Sequence, residues 1–224
     1  MKKLALTLIV LIGLNAQAQR NVEKEVAYKG QPVTVEFAFA SDIEMKTWNK
    51  SAIRIEASVD TEEKKYTEQY ELQVNSSNSK IEISSNMKEL LEGYNVQFGN
   101  RNELKQEIFY TLYVPKGVEL KLSSVTGSVA SEALQGDFKI DLVVGNVDIK
   151  KFRGTLDLNS VTGKINLPIK NSSYSAKTVM GDIHGHDPEA EKKKGFIGQE
   201  MMKDLKNSKN KVTLSTVTGD IYLN

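Results

Sequence analysis

The sequence predicts an all-β protein: a β-solenoid with 18-residue coils, each of two nine-residue strand-turn units, preceded by a less regular β-rich part. Three observations carry this. Glycines recur on a nine-residue ruler at 127, 136, 145, 154, 163 and 181, with Ser172 filling the missing place. The segment SSVTG returns as NSVTG and again as STVTG. From Glu119 to Gly181 the units follow the pattern x-φ-x-φ-x-x-φ-x-Gly, and 19 of the 21 φ positions are apolar, where composition alone predicts about eight.

The first 18 residues read as a signal peptide. Lys2 and Lys3 precede an apolar run from Leu4 to Leu14, and Ala16-Gln17-Ala18 offers a small-x-small cleavage site. Eleven apolar residues at ~1.5 Å each cross only about half of the ~30 Å hydrocarbon layer. The mature chain is therefore expected to start at Gln19 and to be extracytoplasmic, either periplasmic or secreted to the cell surface. No later stretch is long and apolar enough to span a membrane. There is no cysteine, which excludes disulfides, thiolate metal sites and a cysteine nucleophile. Lys+Arg at 30 nearly balance Asp+Glu at 29, so binding nucleic acid through bulk charge is not expected.

Residues 19–115 alternate in shorter, less regular runs: Val33, Val35, Phe37 and Phe39; Ile53, Ile55, Ala57 and Val59; Tyr70, Leu72 and Val74; Ile108, Tyr110, Leu112 and Val114. Asp42 to Lys50 repeats the spacing of the glycine units through Ile43, Met45 and Trp48, and Met87 to Tyr94 could hold a short helix. This part is read as starting the stack and capping its first edge, since open strand edges invite aggregation and terminal repeats are commonly atypical.

Residues 116–224 carry the repeats. Apolar residues two apart, such as Leu120 and Leu122 or Phe138 and Ile140, mark the buried face of a short strand. The third apolar position, Val125 or Val143, is read as inward, and the following glycine as the turn. An antiparallel sandwich is the competing arrangement, but a motif that repeats at one phase favours stacked coils. The hexapeptide solenoid would need apolar positions every six residues. The calcium-binding nonapeptide roll would need paired glycines and a recurrent Asp, where this chain places Ser128, Asp137, Asn146, Thr155 and Lys164 after single glycines.

From His186 to Asn210 the pattern is interrupted. Phe196, Ile197, Met201, Met202 and Leu205 make this insertion amphipathic and suggest a helix. The pattern then returns with Val212, Leu214, Val217, Gly219, Ile221 and Leu223. Asp220–Asn224 is expected to end the stack as an unpaired edge. The insertion could cover it, or edge-to-edge self-association of an otherwise monomeric chain could do so.

The segments IEMKTWNKSAIRIEASV and YTLYVPKGVELKLSSVTGSV, the repeated VTG units and the ending VTLSTVTGDIYLN resemble the bacterial β-strand-repeat domain-of-unknown-function family labelled "putative adhesin". The likeness runs over nearly all of the mature chain. It implies an exported β-solenoid with no assigned catalytic centre.

For chemistry, the outward ladders matter. One carries Lys121, Lys139, Asp157 and Ser175, with Ser124, Thr126, Ser160, Thr162 and Thr178 expected at a solvated, hydroxyl-rich corner. The other runs Ala130, Asp148, Asn166 and His184, beside Asp182 and His186. A polysaccharide-acting parallel β-helix enzyme would draw on Asp148, Asp182 and His184, and His184-Gly185-His186-Asp187 is the run with metal-ligand types. Both histidines open a polar insertion and no third ligand is fixed by spacing, so no catalytic, cofactor or metal residue is assigned. Tyr222 is the one clear outward aromatic of the repeats, which argues against a sugar-stacking platform. Lys192–Lys194 reads as a solvated face, or as a local contact for an anionic glycan or lipopolysaccharide. The expectation is a non-catalytic binding or structural module at the cell envelope whose ligand is a glycan or a protein.

Overall fold

Along Val118–Ser131 every second side chain is buried (Val118, Leu120, Leu122, Ser124) until Gly127, after which Val129 and Ser131 are buried in turn. One chain segment thus presents two inward faces joined by a corner, and the fold is built on that unit. The computed structural model describes residues 19–92, 105–195 and 197–224. The expected signal peptide, Tyr94 and Phe196 lie outside the described residues.

The first half contains β1 (Arg20–Ala27), β2 (Val33–Trp48), β3 (Ala52–Thr61), the helix α1 (Lys64–Gln69), β4 (Leu72–Ser76), β5 (Ile81–Ser85), α2 (Met87–Glu92) and β6 (Gln106–Pro115). The second half contains β7 (Val118–Ser131), β8 (Leu134–Val144), β9 (Val147–Ile149), β10 (Phe152–Thr162), β11 (Ile165–Leu167), β12 (Ser172–Met180) and β13 (Ile183–His184). It closes with β14 (Glu191–Lys194), β15 (Gln199–Lys203), β16 (Asn210–Thr218) and β17 (Ile221–Leu223). Among the described residues, the fold is all-β apart from two six-residue helices.

Two long faces share β2 and β7, each of which bends across the corner. On the first, the order is β4, β5, β2, β7, β8, β10, β16, β12, β15, β14, parallel from β5 to β12. On the second, it is β1, β3, β6, β2, β7, β9, β11, β17, β13, parallel from β6 onward. From β7 to β11 partners lie eighteen residues apart, as in Leu120 opposite Phe138 and Phe138 opposite Leu156, or Val129 opposite Val147 and Val147 opposite Ile165. β2 joins the stack as a rung, with a register shift between Phe39 and Asp42 at the corner. Between the faces lies a core of Val35, Phe37, Met45, Ile140, Leu158 and Leu214, all 1% exposed or less. Near its first end Phe37 stacks flat on Tyr110 at 3.7 Å, and the Tyr70 hydroxyl donates to that of Tyr110 at 3.1 Å.

Three sequence expectations need correction. First, the seventh position of alternate units faces outward. Strand alternation persists through Ser124, Leu142, Ser160 and Thr178, which are buried, so Val125, Val143, Val161 and Val179 emerge on the surface. In the intervening units the strand is shorter and Leu134 does point inward. The buried Ser124, Ser160 and Thr178 are therefore not part of a solvated corner. Second, the final strand is not an edge. β16 and β17 insert between the rung of β10–β11 and that of β12–β13: Val212 faces Leu156 on one side and Tyr174 on the other, and Ile221 faces Ile165 and Ile183. Third, the amphipathic insertion is not helical. It forms the hairpin β14–β15, whose second strand pairs antiparallel with the outer side of β12 and buries Met201.

Candidate functional site

The VTG motif builds a corner of two stacked columns. Glycine forms the first column, because the next turn lies too close for a side chain. A Cβ at Gly163 would sit 1.9 Å from the Gly145 carbonyl oxygen, and one at Gly219 would sit 2.0 Å from that of Gly163. Gly163 also has φ 154°, a conformation that residues with a Cβ rarely adopt. Valine forms the second column. The registers place Val125, Val143, Val161, Val217 and Val179 on successive rungs, each 42–47% exposed. At the ~4.8 Å strand spacing the five rungs extend about 19 Å. Val144 and Met180, 50% and 59% exposed, broaden the stripe at two rungs.

Grooves lie at both ends of this stripe. At the β2 end one of about 230 Å³ is lined by Glu36, Ala38, Val125, Asp141 and Val143. At the hairpin end one of about 440 Å³ is lined by Val179, Ile197, Gly198, Lys177 and Lys193. The result is a ridge of aliphatic side chains with charged groups only at its margins. Contiguous exposed apolar surface of this kind marks interaction sites. Sequence reasoning missed it because a valine in an alternating pattern reads as core. The clue was the neighbouring position, where Ser, Leu, Ser and Thr are interchangeable inside while valine is constant outside.

The candidate enzyme residues do not converge. Asp148 accepts from Lys150 Nζ at 2.5 Å and from Asn166 Nδ2 at 2.9 Å. The ladder runs Asp148, Asn166, Tyr222, His184, which places two rungs between Asp148 and His184. The His184-Gly185-His186-Asp187 run also divides. Asp187 accepts from the Tyr174 hydroxyl at 3.2 Å and from Lys203 Nζ at 3.2 Å, tying the hairpin to the stack. Burial pushes its carboxyl up, but the Glu189 N–H and the Lys203 ammonium outweigh this and hold it below the usual range. Desolvation pushes the Tyr174 hydroxyl upward, and the Asp187 charge adds to the shift. Lys192–Lys194 lie on the exposed strand β14.

Asp182 and His184 do meet a third group, and it is Asp220. Their ligand atoms lie within 4.8 Å of one another. The Asp182 N–H donates to Asp220 Oδ1 at 3.0 Å, and the His184 ring stacks on Tyr222 with centroids 4.6 Å apart. No spacing in the sequence could have supplied Asp220, because it arrives only through the inserted rung.

This is an all-β protein whose repeats present an apolar ridge. Residues 116–224 match the family model described as Toastrack DUF4097. Among solved structures, a "putative cell adhesion protein" from Clostridium sporogenes shares the fold, with 15% identity, a TM-score of 0.54 and coverage of 92% of this chain and 99% of that one. A "putative adhesin" from Bacteroides fragilis aligns at 12% identity and a TM-score of 0.34 over 93% of this chain and 99% of that one. A "putative lipid binding protein" from Parabacteroides distasonis aligns at 11% identity and a TM-score of 0.31 over 91% and 96%. No curated protein matches the chain.

Proposed function

We propose that the chain is an exported, non-catalytic β-solenoid of 18-residue coils that binds a protein partner at the cell envelope through its valine ridge. Residues 19–115 begin and cap the stack, residues 116–224 form the repeats, and the 186–210 insertion covers the far end. The carrying observation is the ridge itself: five aliphatic side chains in register, 42–47% exposed. A glycan ligand would call for aromatic platforms, whereas this surface offers branched aliphatics suited to the dry centre of a protein interface. The adhesion-related description of the C. sporogenes structure agrees with a binding role, and the sequence of residues 1–18 supports export.

A photo-reactive residue replacing Val161 should capture one protein in intact cells, and the same residue at Lys150, on another face, should not. The double variant Val143→Asp/Val161→Asp should bind at least about tenfold more weakly. Capture at Lys150 as strong as at Val161, or unchanged binding by the double variant, would reject the ridge. Fractionation that leaves the protein in the cytoplasm would reject export.

A further inference from the structure

We propose that Asp182, His184 and Asp220 form a binding site for a first-row divalent cation of the zinc class, which fastens the inserted C-terminal rung to the outermost one. The inference is independent of the valine ridge. Asp182 and Asp220 occupy the same corner position, directly after Gly181 and Gly219, on neighbouring rungs. Earlier rungs place Ser128, Asn146 and Lys164 there. Among the described residues of this corner column, only here do carboxylates stand on adjacent rungs. Lys164 on the next rung adds positive charge beside Asp220, and a cation between the two carboxylates would be attracted by both.

The surrounding groups orient the ligands and leave coordinating atoms free. Gln199 Nε2 donates to Asp182 Oδ1. Asp220 Oδ1 takes the Asp182 N–H at 3.0 Å, and the Tyr222 hydroxyl reaches Asp220 Oδ2 at 3.3 Å. The Tyr222 ring fixes the plane of the His184 imidazole. His184 Nε2 stands 3.8 Å from Asp220 Oδ2, too far for a hydrogen bond and consistent with an ion shared between them. Asp182 Oδ2 has no hydrogen-bond partner among the described residues. Such outer partners are what hold ligating side chains in place at metal sites. One imidazole and two carboxylates suit zinc, nickel or manganese better than calcium or magnesium, which prefer oxygen alone. Solvent exposure of Asp182 and His184 leaves room for water to complete the coordination.

The test is calorimetric titration of the chelator-treated protein with zinc chloride. One ion per chain is expected. Affinity should fall about tenfold or more in His184→Gln and Asp220→Asn, and stay unchanged in His186→Gln and Asp148→Asn. At a hundredfold excess over the dissociation constant, zinc should raise the melting temperature by roughly 5–10 °C, and the two ligand variants should lose that rise. Should either variant fail to fold, zinc-induced shifts of imidazole resonances in the unmodified protein decide the matter, since His184 should move and His186 should not. No saturable binding, full binding by a folded His184→Gln protein, or loss of binding in His186→Gln would overturn the site.

Discussion

At the scale of single residues, the repeat sorts side chains by face, and stability should follow. Leu158 is fully buried, so Leu158→Ala should cost about 2–5 kcal/mol through the cavity it opens. Lys150, exposed on its ladder, should cost within about 0.5 kcal/mol on replacement by Ala. Urea melts of the two variants would measure the contrast, and equal effects would abolish the assigned faces. Gly163→Ala should cost more than about 1 kcal/mol, because the new methyl meets the Gly145 carbonyl and the backbone angle is unfavourable. Residues two apart were readable from sequence, since alternation is a strand's own signature. The valines of VTG were not, because hydrophobicity alone does not say on which side of a corner an alternating chain leaves its last apolar residue. Ser131 broke the apolar pattern yet is buried, its hydroxyl donating to the Met45 carbonyl at 2.6 Å. A polar residue that satisfies itself on a neighbouring rung is invisible to a hydrophobic template.

At the scale of elements, the hairpin β14–β15 protects the outer side of β12 through five paired positions. Deleting 191–203 should bare that edge together with the surface that Met201 covers, and unpaired edges recruit other chains. Size-exclusion chromatography over a hundredfold dilution should then show concentration-dependent oligomers, and a deletion variant that stays monomeric with an unchanged melting temperature would refute the cap. The amphipathic content of the insertion was legible, but the strand it accompanies was not: the expectation set it over Asp220–Asn224, and it pairs with β12. Nor was its strand character, since Ile197, Met201, Met202 and Leu205 fit helical spacing, whereas Met201 and Met202 lie in β15 paired along the edge of β12. The neighbourhood of Asp182 and His184 was half legible for a related reason: the histidine stood in a plausible ladder, but Asp148, its expected companion, is separated from it by Asn166 and Tyr222.

For the whole molecule, the contact between Asp187 and Lys203 links the hairpin to the stack and gives stability a defined dependence on pH. The folded carboxyl lies below its ordinary value near 3.8. Its stabilising contribution is therefore complete above about pH 4 and is lost as pH falls through the lower, folded value. Denaturant melts from pH 7 to pH 2 should show the difference between the unmodified protein and Asp187→Asn shrinking below about pH 4, and a constant difference would contradict the assignment. The order of the rungs also dictates a schedule of assembly. Residues 172–184 are synthesised before 210–223, yet the later segment lies between them and β10–β11. While the chain is still emerging, β12 meets a vacant place beside β10, eighteen residues before it in the repeat phase. Native folding requires that this place stay open, or be vacated, until residues 210–223 have been made. The wrong neighbour is thus available first and the right one last, so the final rung sets the time at which the stack can close.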